Sequence, residues 1–243
     1  MSPALPFVLV NMAMTADGKI ATPNRAVSSF GSRRDFAHLL DLRATADAVM
    51  CGARTVDSEP INLGPGPAKY RHRRLRNGLA EYNLRVIASG SGTVDPNAEI
   101  FCHRFSPIII LTTRSASERT RRRLGGLADE IKIVGRSEID FRQALAWLRE
   151  KWNVRRLLCE GGGELNSALF RAGLVNELHV TICPKLLGGR LAPTIADGIG
   201  FPRLSEAAQL RLKSTKRVGD ELFLGCRVLS NPQHGPDPAD HTD

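Results

Sequence analysis

The chain has 243 residues, 42% of them hydrophobic and 24% charged, enough to close one α/β domain around a substantial core. No apolar run approaches the ~20 residues that cross a bilayer, and the opening MSPALPFVLVNMAMTADG lacks a basic n-region, so a cytoplasmic protein is expected. The formal charge of +9 raises a nucleic-acid reading, but much of the positive charge lies in residues 69–76 (KYRHRRLR) and 114–123 (RSASERTRRR) with no stacking motif, so no nucleic-acid partner is expected.

In chain order, residues 7–14 (FVLVNMAM) form a mostly apolar run that reads as a strand feeding the polar loop TADGKIATPN. Ser32 can cap a following helix, in which Phe36, Leu39, Leu40 and Arg43 place an apolar stripe beside one cation near its end. Residues 47–51 (DAVMC) give the next strand. Residues 59–83, rich in Pro, Gly and Arg, have no sustained period and read as a long excursion of the kind that is functional or mobile. Residues 84–88 (LRVIA) and 108–111 (IIIL) then resume short, continuously apolar strands suited to burial on both faces of a parallel sheet.

After Ser137, with Asp140 at the reciprocal capping position, Phe141, Leu145, Leu148 and Trp152 fall at helical spacing. Residues 155–159 (RRLLC) read as a strand, 163–172 as a helix and 177–183 (ELHVTIC) as a strand. Residues 210–218 and 221–228 flank Gly219-Asp220, a pair suited to a tight turn between antiparallel strands. The expected architecture is α/β, a mostly parallel sheet with helices on both faces and an antiparallel C-terminal hairpin, in a single domain over residues 1–230 with a disordered tail over 231–243.

The five cysteines are far apart without a CxxC pair and suit buried free thiols; the six histidines show no zinc-binding spacing, and no metal is expected. The local sequence with most chemical content is Gly161-Gly162-Gly163, between an apolar strand and the amphipathic ELNSALFRAG. Small residues there let backbone amides and a positive helix end approach a phosphate, although a ligand-free tight turn explains the same three residues. It is not the GxGxxG fingerprint, since position 166 is Asn and the motif comes late in the chain. CGARTVDSEP (51–60) also follows a strand, so both turns can face one pocket outside the carboxyl ends of the sheet. There Thr55 can donate to a phosphate or ribose, or simply cap a helix, and Glu59 can accept from a ribose hydroxyl.

The strings VNMAMTADGKIA, DLRATADAVMCGARTVDSEP, LRVIASGSG and LLCEGGGELNSALFRAGLVNELHVTICPKLLGG occur in this order over nearly the whole chain, and together they resemble the reductase domain of riboflavin biosynthesis, in the dihydrofolate-reductase-like superfamily. The resemblance implies a three-layer α/β/α domain, usually dimeric, that binds NADPH and reduces a phosphorylated ribosylaminopyrimidine to its ribitylamino form. By matching motif it implies cofactor contacts at Ala13, Phe30, Thr55, Glu59, Ser89, Gly162, Gly163, Glu164, Leu165, Asn166, Ser167 and Ala168. Implied substrate contacts are Ser28, Arg43, Leu63 and Glu160. The family's zinc-binding deaminase domain has no counterpart in these residues, so the resemblance is to a stand-alone reductase.

This chain departs from the family where Thr55-Val-Asp-Ser-Glu59-Pro is one residue short and carries Glu for Asp, and where no arginine aligns with the one that helps hold the substrate phosphate. Arg71, Arg73, Arg74 and Arg76 are chemically suitable replacements, because a guanidinium can bind phosphate with two hydrogen bonds. In the family reaction, a hydride passes from the nicotinamide to the ribose carbon of an open-chain imine. Glu160 is then expected to orient the substrate and Arg43 to neutralise its phosphate, with no general acid identified; Asp17-Gly18 reads as a turn. Arg54, Arg114 and Lys19 are candidates for the ribose 2′-phosphate. The competing readings are a same-fold reductase of a pterin or dihydrofolate and, from a different class, a nucleic-acid-binding module on a retired enzyme fold.

Overall fold

The computed structural model describes residues 3–24, 31–58 and 60–229. Phe30, Glu59 and Ser28, and the expected tail at 231–243, lie outside the described residues. Nine strands form one sheet in the order β5-β4-β3-β2-β6-β1-β7-β9-β8. Strands β1 (Phe7–Thr15), β2 (Ala48–Gly52), β3 (Leu84–Ala88), β4 (Ile108–Thr112), β5 (Glu130–Ile133), β6 (Arg156–Cys159) and β7 (Glu177–Cys183) run parallel. The hairpin β8 (Leu210–Val218) and β9 (Glu221–Val228) closes antiparallel onto β7, turning through Gly219 at φ 64°.

The central strands are apolar throughout because helices cover both faces, and the period of two divides each strand between two cores. Val8, Val10, Met50, Val86, Ile109 and Leu111 point to α6 (Phe141–Trp152) and α7 (Gly163–Arg171). Leu9, Val49, Cys51, Ile87, Ile110 and Leu158 point to the opposite layer, where α1 (Arg33–Arg43), α2 (Ala53–Ser58), α4 (Glu99–Cys102) and α5 (Glu118–Gly125) contribute. The edge strand β8 is exposed almost throughout and carries Arg211, Lys213, Lys216 and Arg217, charges that discourage edge-to-edge pairing.

Several local expectations change. Residues 59–83 are not structureless: α3 (Ala68–Arg76) forms within them. Its buried residues are Tyr70 and Arg74, one turn apart, and Arg74 donates to the carbonyls of Arg43 (2.6 Å), Ala46 (2.6 Å) and Ala80 (2.9 Å). A helix anchored by an arginine shows no apolar period. Asp140 is itself the N-cap of α6, accepting from Gln143 N at 2.9 Å, so it is not the reciprocal partner of Ser137. Strand β5 is four residues long and half-exposed at an edge, too short and polar for a period of two to stand out. Ser32 does cap α1, accepting from Arg34 N and Asp35 N. Among the described residues no cysteine forms a disulfide; Cys51, Cys159 and Cys183 are buried, whereas Cys102 is exposed.

Candidate active site

The chain runs from β1 across β6 to β2, steps outward through β3, β4 and β5, then returns to insert β6 between β2 and β1. Connections therefore diverge at the carboxyl ends of β1, β2 and β6, which opens a crevice there. A cleft of about 960 Å³ occupies this place.

The glycine turn forms one wall. Two of the glycines are demanded by different neighbours. Gly161 has φ 82° and a Cβ there would meet Met12 Sδ at 2.6 Å; a Cβ on Gly163 would meet the Thr194 carbonyl at 2.4 Å. Gly162 is the N-cap of α7 and makes no side-chain cap hydrogen bond, so the first turn of the helix, whose residues line the cleft, carries the positive end of the helix dipole without a side-chain cap from Gly162. Gly52 N donates to Gly161 O at 2.8 Å, and Glu160 N to Met50 O at 2.8 Å, which fixes the turn to the end of β2. The first residues of α2 then stand opposite: a Cβ at Gly162 would lie 3.6 Å from Thr55 Oγ1.

The second wall holds a buried ion pair. Arg43 Nε and Nη2 donate to Glu160 Oε1 and Oε2, each at 2.6 Å, and Nη1 donates to Gly64 O at 2.6 Å. The two side chains are 8% and 11% exposed. Burial opposes the Arg43 charge, yet the charge and hydrogen bonds of Glu160 hold its pKa above the ordinary arginine value. This pair refines the expected division of labour. Arg43 is paired with Glu160 and bonded to the Gly64 carbonyl, so its charge is compensated within the protein.

Of the residues expected at the site, Ala13, Arg43, Thr55, Ser89, Glu160, Gly162, Gly163, Glu164, Leu165, Ser167 and Ala168 line the cleft. Ser89 Oγ donates to Thr93 O at 3.0 Å, which fixes the loop after β3. Asn166 does not line it: fully buried, it donates to Ile195 O at 2.8 Å and latches α7 to the 194–197 loop. Leu63 has φ 55° and packs in the core between the sheet and its helices, not on the cleft surface. Arg54 lines the cleft and pairs with Glu164 in the first turn of α7, whereas Lys19 is bonded to Ala192 O at 3.1 Å and neither it nor Arg114 reaches the cleft surface.

Two sequence expectations about the surroundings are corrected or completed. No residue from 69–76 lines the cleft; Arg71 pairs with Glu81, Arg73 with Asp41, and Arg74 is structural. Asp17 is a turn residue, accepting from Thr15 Oγ1 (2.6 Å), Leu187 N (3.1 Å) and Gly188 N (2.7 Å), bonds that hold its pKa down at about 2. Cys159, beside Glu160, is fully buried and its thiol is pushed up to about 12 chiefly by desolvation, so it is no nucleophile. Cleft residues that sequence reasoning did not single out are Asp35, Ser91, Arg171 and Asp197, and Ser137 was read only as a helix cap. Asp35 alone carried a readable signal, one turn before Leu39 and two before Arg43 on the stripe of α1 that faces the cleft.

Residues 6–224 match the family described as RibD C-terminal domain. The chain belongs to that family. It is 31% identical over 222 residues to the 2,5-diamino-6-ribosylamino-4(3H)-pyrimidinone 5′-phosphate reductase of Archaeoglobus fulgidus, covering 91% of this chain and 98% of that protein. Against the protein of the same name from Methanothermobacter thermautotrophicus it is 31% identical over 219 residues, with 90% and 96% covered. The fold also matches the crystal structure of a pyrimidine reductase-like protein from Corynebacterium diphtheriae, with a TM-score of 0.74 at 22% identity and 92% of each chain covered. The glycine turn, Thr55 and the Arg43–Glu160 pair thus lie within a domain fold shared across the family.

Proposed function

We propose that this protein is an NADPH-dependent reductase that converts 2,5-diamino-6-ribosylamino-4(3H)-pyrimidinone 5′-phosphate to its ribitylamino form, and that it works as a cytoplasmic homodimer. The observation that carries this reading is the convergence of the glycine turn and the Glu160–Arg43 pair on one cleft, in a chain that aligns over 90–91% of its length with relatives bearing that enzyme's name.

The residues present suit a nicotinamide dinucleotide. The uncapped first turn of α7 and the crowded glycines leave a cradle where a diphosphate can approach backbone amides, and the Thr55 hydroxyl stands across from Gly162. Ser89 and Ala13 extend that surface along the carboxyl ends of β3 and β1. Its exposure at the cleft supports Arg54 as the cation for a ribose 2′-phosphate, which would exchange its contact with Glu164 for a doubly charged anion. When bound, the nicotinamide supplies the hydride. The protein's part is to hold the ribose carbon against the donor and to orient the substrate through Glu160, whose carboxylate Arg43 locks in one rotamer.

The place of α3 favours a second reading for the substrate alone. With residues 69–76 away from the cleft, the basic cluster no longer supports a phosphorylated substrate, and a pterin or dihydrofolate needs no such support. Absorbance of NADPH, followed in parallel with the ribosylaminopyrimidine phosphate, its deaminated counterpart and dihydrofolate, decides between them. The diamino substrate is expected to be turned over fastest. Turnover of dihydrofolate alone would replace the substrate assignment and leave the cofactor site standing. Arg54→Ala is expected to weaken NADPH about tenfold while leaving NADH unchanged, a difference of about 1.4 kcal/mol.

A further inference from the structure

Leu63, expected at the substrate, stays out of the cleft, and its backbone is strained. At φ 55° it holds a left-handed conformation that a bulky side chain rarely adopts, with that side chain fully buried in the core. Such a residue persists only where its surroundings over-determine it. Here Asn83 Nδ2 donates to Leu63 O at 2.8 Å and Gly64 N to Asn62 Oδ1 at 2.9 Å. Gly64 also lies so close to Phe105 that an added Cβ would come within 2.6 Å of the ring, which is backed in turn by the Arg85 guanidinium 4.2 Å from its centroid. The residues on either side of Leu63 reach the site. Ile61 lines the cleft, and Gly64 O accepts from Arg43 Nη1 at 2.6 Å, the third anchor of a guanidinium whose other two nitrogens hold Glu160.

Asn83 is fully buried and does not line the cleft. Both of its Nδ2 hydrogen bonds go to main-chain carbonyls, Leu63 O and, at 3.1 Å, Leu84 O. Its Oδ1 is buried, and no described residue donates to it. A buried amide oxygen without a partner costs free energy. What this amide contributes is therefore its donor, and that donor ends on the strained residue.

We infer that Asn83 is a positioning residue for the cleft. By holding the Leu63 carbonyl it keeps Leu63 left-handed, sets the Gly64 carbonyl against Arg43 Nη1, and so fixes the plane in which the Arg43 guanidinium presents the Glu160 carboxylate. The route is short: a hydrogen bond from Asn83 to Leu63, one peptide to Gly64, a hydrogen bond to Arg43 and two more to Glu160. Without the first bond Leu63 relaxes toward negative φ and the peptide that follows it turns. Arg43 then keeps only its two bonds to Glu160, and the pair can swing as a unit. Rate is sensitive to such swings because a reactant must be held close to its reacting geometry. The inference rests on the proposed reductase reading only for the reactants that Glu160 orients.

The test compares wild type with Asn83→Ala, and with Asn83→Ala combined with Leu63→Gly, because glycine takes a left-handed φ without strain. Asn83→Ala should lower kcat about tenfold and leave NADPH affinity unchanged. Adding Leu63→Gly removes a buried side chain and lowers the melting temperature further, yet it should recover most of the lost kcat. Rate and stability moving in opposite directions is an outcome that a merely structural role does not produce. Wild-type kcat in Asn83→Ala, or kcat and melting temperature falling together in the double variant, overturns the inference and leaves the proposed function intact. A second readout needs no turnover. With three anchors on the guanidinium, rotation about its Cζ–Nε bond is slow, so Arg43 should show separate Nη1 and Nη2 nitrogen-15 resonances in wild type that merge in Asn83→Ala. One averaged resonance in wild type overturns the inference even where Asn83→Ala does not fold. Absence of turnover in wild type, with the resonances split there and merged in Asn83→Ala, overturns the proposed function and supports the positioning of Arg43 by Asn83.

Discussion

Replacing Glu160 by Gln tests the second wall of the cleft most directly. The substitution keeps the side-chain shape and one acceptor but removes the charge that compensates Arg43, whose side chain is 8% exposed. It also turns an amide donor toward a guanidinium that accepts nothing. Breaking one partner of a buried pair costs about 3–5 kcal/mol, much of it the penalty of the stranded charge. With a slope of about 2–3 kcal/mol per molar urea, the unfolding midpoint should fall by about 1–2.5 M. Fluorescence of Trp147 and Trp152, half-buried on α6 in the layer across the sheet, reports that transition from a distance. Because the cost comes from an unpaired charge, Arg43→Met combined with Glu160→Leu should regain most of the stability while remaining inactive. A midpoint shift below about 0.3 M, typical of an exposed pair, or a double variant no more stable than Glu160→Gln, would refute the buried-pair reasoning.

Other substitutions separate cleft residues from scaffold. Gly163→Ala places a Cβ 2.4 Å from Thr194 O and 2.7 Å from Asp197 Oδ2, so it should cost about 1–3 kcal/mol in urea unfolding and weaken NADPH binding as α7 shifts. Arg74→Ala strands three carbonyls and leaves a cavity, a loss of about 3 kcal/mol by the same measurement, whereas Arg71→Ala and Arg73→Ala should cost below about 1 kcal/mol and leave KM for the phosphorylated substrate unchanged. Asp17→Asn should speed amide hydrogen exchange at Leu187 and Gly188. In wild type, where the folded carboxyl titrates at about 2 and so below its unfolded value, that tie is complete above about pH 4 and is lost as pH falls toward 2.

Strand 84–88 was legible because burial on two faces leaves little choice of residue, and the hairpin because Gly219-Asp220 separates its two runs; 84–88, 177–183, 210–218 and 221–228 form strands at the expected bounds. The glycine turn was legible for a similar reason, since crowding by Met12 and Thr194 excludes any side chain at Gly161 and Gly163. Helix α3 was hidden because its anchor is an arginine that satisfies backbone carbonyls, a role that composition reads as surface charge. The basic cluster therefore suggested a phosphate site that the cleft does not contain at that place.

What the sequence by itself determined is the succession of apolar strands, the small residues at the turn after β6, and with them the family. The tertiary structure decided which charges meet. Arg43 and Glu160 are 117 positions apart and pair only because β6 inserts beside β2, under the end of α1. Asp35 meets Glu221 and Thr181, brought beside it from far along the chain, only because α1 lies across β7 and β9. Local pattern reports how much of a segment is buried; the partner of a buried charge is set by topology, which no local pattern carries.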